Sequence, residues 1–300
     1  MLDACIIGAP RCGTSSLFRW LTAHPRIFGP HEGKELFYFM DAGHPLIGDP
    51  NVHTTTSETY RSLFPDAPET CKIEGTTHYL FQEIARTHLG QMESKPVIVA
   101  VLRNPAQRVL SSFQYTRHNR ARVNPSLQFH QYVEWGLEER HDCIKENISH
   151  PGSAYVLARD IQYGQYIDYL LPWRESVGKE RLAVLSFGEM VADPKATCCR
   201  LASVVGVDPE FYEDFEFEAR NATYTVASPL LHSLVRNIGK RIPESWMKRL
   251  AKRAYMSGAI TKQTTRSQEA EQALNRLEEY YAPYNERLAE EFDIDVSSWR

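Results

Sequence analysis

The stretch Ala4 to Leu21, ACIIGAPRCGTSSLFRWL, limits what this chain can fold into more than any other. Ala4-Cys5-Ile6-Ile7 is a short apolar run suited to a buried parallel strand. Two glycines and a proline, in Gly8-Ala9-Pro10-Arg11-Cys12-Gly13, then break it. From Thr14 the apolar period changes, and Leu17, Trp20 and Leu21 fall on one face of a helix. A strand, a glycine-bearing loop and a helix start aim loop N–H groups and a helix dipole at one point, which makes an anion site. Arg11 adds a cation there, and Thr14, Ser15 and Ser16 add hydroxyls. The plainer reading of the same residues is a βα turn with a Ser/Thr N-cap.

Gly8 and Gly13 have the spacing of the nucleotide loop GxxxxGK[ST], but Thr14 stands where the lysine belongs. A kinase or ATPase needs that lysine on the β/γ-phosphates and a hydroxyl on Mg²⁺. Here the cation sits earlier, at Arg11. The loop therefore predicts a phosphate-like group held without the NTPase apparatus.

A second anion station follows the clearest strand in the chain, Val97-Ile98-Val99-Ala100-Val101-Leu102. It ends in Arg103. Asn104 can N-cap the next helix, with Pro105 at its first position. Ser111, about two turns along, can lie near the same ligand. A strand serving Mg²⁺ would end in an acidic residue, and this one ends in the opposite charge.

Between the two stations lies His31-Glu32-Gly33-Lys34-Glu35-Leu36-Phe37-Tyr38-Phe39. A carboxylate beside aromatic surface loses solvent, which raises its pKa and makes it a better base. The same segment also reads as a charged loop running into core aromatics. Arg26-Ile27-Phe28 and Cys71 to Gly75 are further short strands, and Thr76-Thr77-His78 sits at the carboxyl end of the second, where open α/β sheets place their sites. His78 is an acid/base candidate or a structural histidine. Leu127 to Glu139 predicts a helix, His141 to Gly152 a surface loop, and Tyr155 to Trp173 a helical stretch ending at Pro172. Arg181 to Phe187 predicts a strand and Pro194 to Val205 a helix.

Strands alternating with helices predict an α/β fold with a central parallel sheet flanked by helices. Residues 1–300 read as a single domain, with the α/β core over about 1–215 and a helical C-terminal part over about 216–300. In that part, Arg236 to Arg253 holds seven Lys/Arg and one acidic residue, Glu244. It is either a basic wall for an acidic partner or a solvated helix face. Residues 267–292 predict a long, largely acidic helix or pair of helices.

The net charge of −4 argues against general nucleic-acid affinity. No apolar run approaches membrane-spanning length, and the first strand begins within five residues of Met1, so the expectation is a cytoplasmic protein. The six cysteines have no zinc spacing and are expected reduced. Cys12 is the one whose position could lower its pKa, though a loop-packing role is the stronger expectation.

Two anion sites, one after each of two strands, resemble the sulfotransferases that use 3′-phosphoadenosine 5′-phosphosulfate (PAPS). IIGAPRCGTSSL is similar to their 5′-phosphosulfate loop, and LRNPAQRVLSSF to their 3′-phosphate motif. KELFYF resembles the K-E-x-x-[FY]-F segment of the heparan-sulfate-type and bacterial branch, where the glutamate is taken as the base. Tyr60 to Pro65, Ile73 to Leu80 and Ser297-Ser298-Trp299 resemble the same branch. No Lys-Gly-Arg-like C-terminal loop is found; Arg220, Asn221 and Ser228 occupy that region. The disulfide of the Golgi enzymes has no evident counterpart, and position 75 is Gly where several relatives carry Lys.

The resemblance implies a three-layer P-loop-like fold and transfer of a sulfuryl group to a hydroxyl or amine, with adenosine 3′,5′-bisphosphate as product. It implies Glu35 as base, with His78 as the rival, since some branches use histidine. It places Arg11, Cys12, Gly13, Thr14, Ser15 and Ser16 on the 5′ side of the donor and Arg103 and Ser111 on the 3′-phosphate. No metal is required. The acceptor is left open among small molecules, carbohydrates, lipids and peptide tyrosine. A nucleotide kinase or a non-catalytic nucleotide-binding module is the alternative.

Overall fold

The computed structural model describes residues 2–67, 70–218 and 267–299. The basic segment 236–253 and the residues Arg220, Asn221 and Ser228 lie outside the described residues.

The described residues group into two compact units. The first is drawn from Met1–Arg108, Gln165–Asn221 and Tyr281–Arg300, and the second from Val109–Gly164 and Ala222–Tyr280.

The first unit holds five strands: β1 (Ala4–Gly8), β2 (Ile27–Phe28), β3 (Cys71–Glu74), β4 (Val97–Leu102) and β5 (Leu182–Ser186). They form one sheet in the order β2-β3-β1-β4-β5, and every pairing is parallel. All five residues of β1 are buried, as a central strand covered on both faces requires. Helices α1 (Thr14–Leu21), α2 (Ser57–Ser62), α3 (Glu83–Gln91) and α4 (Pro105–Gln114) follow in chain order. The boundary between the units falls inside α4. Parallel strands need crossovers, and the helices supply them, giving the three-layer α/β arrangement expected from the alternation of periods. β1 lies at the centre, so the loop after it opens where the strand order reverses, the usual place for a ligand in such sheets.

The second unit contains the rest of α4 and α5 (Phe129–Leu137), α6 (His141–Glu146) and α7 (Pro151–Arg159). Phe113 stacks on Tyr132 with ring centroids 5.0 Å apart, and the Tyr132 hydroxyl donates to the Leu157 carbonyl at 3.0 Å.

Two sequence expectations are corrected here. Residues 141–152 are not a surface loop: Ile144, fully buried, anchors α6, and α7 opens with Pro151 at its first turn, capped by His150. The stretch 155–173 is not one helix. α7 stops at Arg159 and α8 (Tyr166–Val177) begins after a break, running through Pro172. Ile167, Leu170, Trp173 and Val177 are buried in the first unit, and that burial outweighs the backbone hydrogen bond the proline removes.

After β5 come α9 (Phe187–Ala192) and α10 (Pro194–Val204), the latter capped by Asp193. α1 packs with α10, and α3 with α8. The acidic stretch near the end is a single helix, Gln268–Phe292, with Pro283 inside it.

Candidate functional site: two strand ends and a buried carboxylate hub

The loop after β1 is drawn tight by its backbone. The Ala9 N–H donates to the Val101 carbonyl of β4 at 2.8 Å, and the Cys12 N–H to the Ala9 carbonyl at 3.3 Å. Arg11 and Gly13 both have left-handed φ, +68° and +80°. Gly13 is also hemmed in: a Cβ there would lie 2.7 Å from the Phe187 ring. Only glycine meets both demands. Gly13 is the N-cap of α1, and no side chain caps this helix. The plainer alternative, a turn with a Ser/Thr cap, is not what forms. The Ser16 N–H turns back to the Gly13 carbonyl at 2.9 Å, and the helix dipole favours negative charge at this end. Thr14 and Ser16 are buried in the first turn, and Ser15 is exposed.

Cys12 is fully buried. Its sulfur lies 3.6 Å from the Pro10 carbonyl and 3.8 Å from the Tyr166 hydroxyl, and burial pushes the thiol pKa up. It packs the loop, so a lowered pKa is not found.

Tyr166 links this loop to the end of β4. Its hydroxyl donates to the Arg103 carbonyl at 2.9 Å. The Arg103 guanidinium sits 5.2 Å from the centroid of Phe187, the same ring that crowds Gly13. The loop after β1 and the end of β4 are thus neighbours that share a wall. Asn104 caps α4, accepting from the Gln107 N–H at 3.1 Å, and its amide donates to the Trp299 carbonyl at 2.8 Å. Ser111 is buried in α4 and belongs to the second unit.

The segment Lys34 to Phe39 lies against the carboxyl end of β3. Glu74, the last residue of β3, is fully buried and accepts from three hydroxyls, those of Tyr60 (2.7 Å), Thr76 (2.6 Å) and Tyr79. Burial raises its pKa, and these hydrogen bonds oppose the rise. The Thr76 oxygen also accepts the N–H groups of Leu36 (2.9 Å) and Phe37 (3.2 Å). The Tyr79 oxygen does the same for Tyr38 (2.9 Å) and Phe39 (3.0 Å). Thr76 thereby uses its one donor and both acceptor sites. One buried carboxylate, through two hydroxyls, sets the backbone that carries Glu35.

Glu35 is held from the same turn. Its Oε1 accepts from the Thr77 hydroxyl at 2.7 Å and the Thr77 N–H at 3.3 Å. Its side chain is 35 % exposed. The aromatic run does not wrap it: Tyr38 and Phe39 turn into the core against Tyr60. His78 is buried beside it. Burial is the main cause that holds its pKa down to about 4, with His44, Arg108 and Lys34 adding and Glu35 opposing. His78 is therefore neutral at neutral pH.

Lys34 has no role legible in the sequence. Its ammonium donates to the Thr14 hydroxyl at 3.0 Å and lies 3.8 Å from Glu35 Oε1. Thr76, Thr77, Tyr166 and Phe187 were likewise unassigned. The hydroxyl pair directly after a strand end was the available signal for the first two. Nothing local marked Tyr166 or Phe187.

An uncapped helix start, a left-handed loop and a strand-end arginine thus meet in an α/β protein, with a carboxylate close to them. Residues 2–269 match the sulfotransferase domain family, and the chain belongs to it, among the PAPS-dependent sulfotransferases. Carbohydrate sulfotransferase 15 of Mus musculus is 22% identical over 347 residues, covering 98% of this chain and 54% of that protein. Heparan sulfate glucosamine 3-O-sulfotransferase 3A1 of Mus musculus is 24% identical, covering 70% of this chain and 48% of that protein. The chain spans about half the length of these curated relatives. A sulfotransferase from Alicyclobacillus acidocaldarius shares the fold, with a TM-score of 0.66 at 20% identity, covering 100% of this chain and 99% of that one. Among the described residues, no helix is long and apolar enough to cross a membrane.

Proposed function

We propose that the protein transfers the sulfuryl group of PAPS to a hydroxyl or amine of a carbohydrate acceptor. The observation that carries this reading is the Glu35 carboxylate, held by Thr77, linked through Lys34 to the hydroxyl of Thr14 at the start of the anion helix. The carbohydrate class rests on the printed names of the relatives. The residues fit the donor: the N-terminus of α1 lacks a side-chain cap, and the Phe187 and Met190 side chains leave room at Gly13 for nothing larger than glycine.

The donor supplies an activated sulfur whose leaving group is adenosine 3′,5′-bisphosphate. Arg11, Gly13, Thr14, Ser15 and Ser16, with the loop N–H groups, hold the 5′ side and neutralise charge that grows there during transfer. Cys12 keeps the loop in shape. Arg103, and by the motif Ser111, hold the 3′-phosphate, remote binding energy that orients the donor. Glu35 takes the proton of the acceptor as its oxygen or nitrogen attacks. His78 is neutral and buried, and Glu35 is the better placed base. Residues 1–300 act as one sulfotransferase domain in this reading. The six cysteines are free thiols, which fits a reducing, cytoplasmic setting.

Calorimetry with adenosine 3′,5′-bisphosphate and 5′-AMP tests the donor site, and a screen of carbohydrate, lipid and small hydroxyl acceptors with labelled PAPS tests the transfer. Binding of the bisphosphate well above 5′-AMP, followed by label on a carbohydrate, is expected. Equal affinity for both nucleotides, or ATP hydrolysis that needs Mg²⁺, would return the protein to the kinase class.

A further inference from the structure

Thr14 occupies the position at which a nucleotide loop carries its lysine. The structure brings a lysine to that residue from another segment. The Lys34 ammonium donates to Thr14 Oγ1 at 3.0 Å, at the first residue of α1. Among the described residues its only carboxylate partner is Glu35, at 3.8 Å, a contact rather than a hydrogen bond.

The Lys34 side chain is 15 % exposed. A buried ammonium held by one neutral hydroxyl and a distant carboxylate is poorly compensated, because desolvation disfavours its charge. Burial accordingly lowers its pKa. An ammonium has three N–H donors, and one is committed to Thr14. An anion between Thr14 and Glu35 would complete it.

The path of the side chain is built for this placement. The Gly75 N–H donates to the Lys34 carbonyl at 3.0 Å and fixes the backbone. The aliphatic stem then crosses directly over Gly75: a Cβ there would lie 2.7 Å from Lys34 Cε and 2.8 Å from Cγ. Phe18, 3.2 Å from the same point, closes the other side. Glycine at 75 is what lets Lys34 reach the anion loop.

We propose that Lys34 is a catalytic residue that contacts the oxygens of the transferring sulfuryl group, standing between the donor loop and the base. This rests on the sulfotransferase reading above. The acceptor atom forms its bond to sulfur as the bond from sulfur to the 5′-phosphate oxygen breaks. The electron pair leaves on that phosphate oxygen, and the acceptor proton goes to Glu35. Charge therefore shifts across the gap that the ammonium spans, and a cation fixed there stabilises the transition state more than the bound donor.

The test compares two ligands that differ only in the sulfuryl group. Calorimetry measures PAPS and adenosine 3′,5′-bisphosphate binding to the wild type, Lys34→Met and Gly75→Ala, with thermal melts as folding controls. Lys34→Met is expected to weaken PAPS at least tenfold and the bisphosphate less than threefold. Gly75→Ala leaves the lysine in place but pushes its stem aside, and it should show the same selective loss. Gly75→Lys in a Lys34→Ala background, where the stem over position 75 is gone, returns an ammonium to the vacated space and should recover most of the PAPS affinity that Lys34→Ala loses. Equal losses for both ligands, or none for either, would overturn the role of Lys34 while leaving the donor assignment standing. A wild type that binds neither ligand would overturn the donor assignment itself.

Discussion

The two sides of the proposed site are built differently. The donor side is one contiguous stretch, Gly8 to Ser16, whose shape comes from its own backbone: left-handed φ at Arg11 and Gly13, and a helix start with no side-chain cap. The base side is assembled from two segments about forty residues apart in sequence, joined by side-chain hydroxyls. Thr76 and Tyr79 hold the amides of residues 36–39, Thr77 holds Glu35, and Glu74 anchors the hydroxyls from beneath. A local anion cradle tolerates the loss of any single side chain, because backbone N–H groups do much of the holding. A hub of buried hydroxyls does not, since each member satisfies several others.

Glu35→Gln should separate the two sides most sharply. It keeps size while removing the base, so turnover of labelled PAPS should fall about a hundredfold or more, with bisphosphate affinity near wild type. His78→Asn should cost less. The reverse ranking would move the base to His78.

Arg103→Ala attacks the donor side away from the loop. A charge-assisted contact contributes on the order of 1.5–3 kcal/mol, so bisphosphate affinity should drop more than tenfold by calorimetry. Affinity for 5′-AMP, which lacks the 3′-phosphate, should barely change. A matching loss for 5′-AMP would mean that Arg103 serves the loop instead.

Thr76→Val tests the hub. The isosteric methyl cannot accept the Leu36 and Phe37 N–H groups or donate to Glu74. Each unsatisfied buried group costs about 1–3 kcal/mol, so the melting temperature should fall by several degrees. Among folded molecules, turnover should fall more than bisphosphate affinity. If both fall together, the hub supports the donor loop as much as the base.

The last effect is on the pH dependence of stability, spread over more than two pH units. His78 is held at about 4 against an ordinary value near 6.5. Between those values the unfolded chain binds a proton that the folded chain refuses. Stability is full above pH 6.5 and is lost as pH falls toward 4, by at most about 1.4 kcal/mol per pH unit. Urea melts from pH 7 to 4.5 should show this slope, and His78→Asn should flatten it. An unchanged slope would assign the acid sensitivity to other groups.

Much of this was legible before any coordinates. β1, its loop and α1 are local: an apolar run, two glycines and a 3.6-residue period determine them within twenty residues. β4, the Asn104 cap and Pro105 were readable for the same reason. Residues 141–173 depart from the sequence expectation because short helices such as α6 are held by a buried residue, here Ile144, rather than by propensity. The break before α8 and the proline inside it likewise follow from burial that no local rule contains.

At the site, the chain by itself determined an anion loop, a strand-end arginine and a carboxylate nearby, because glycine torsions, caps and strand ends are written in neighbouring residues. Tertiary structure alone decided the rest. It buried Glu74 under three hydroxyls and turned Tyr38 and Phe39 into the core instead of around Glu35. It also laid Lys34 across a bare glycine onto Thr14. Those outcomes depend on which residues the sheet order β2-β3-β1-β4-β5 sets side by side, and proximity across forty residues has no periodicity to read.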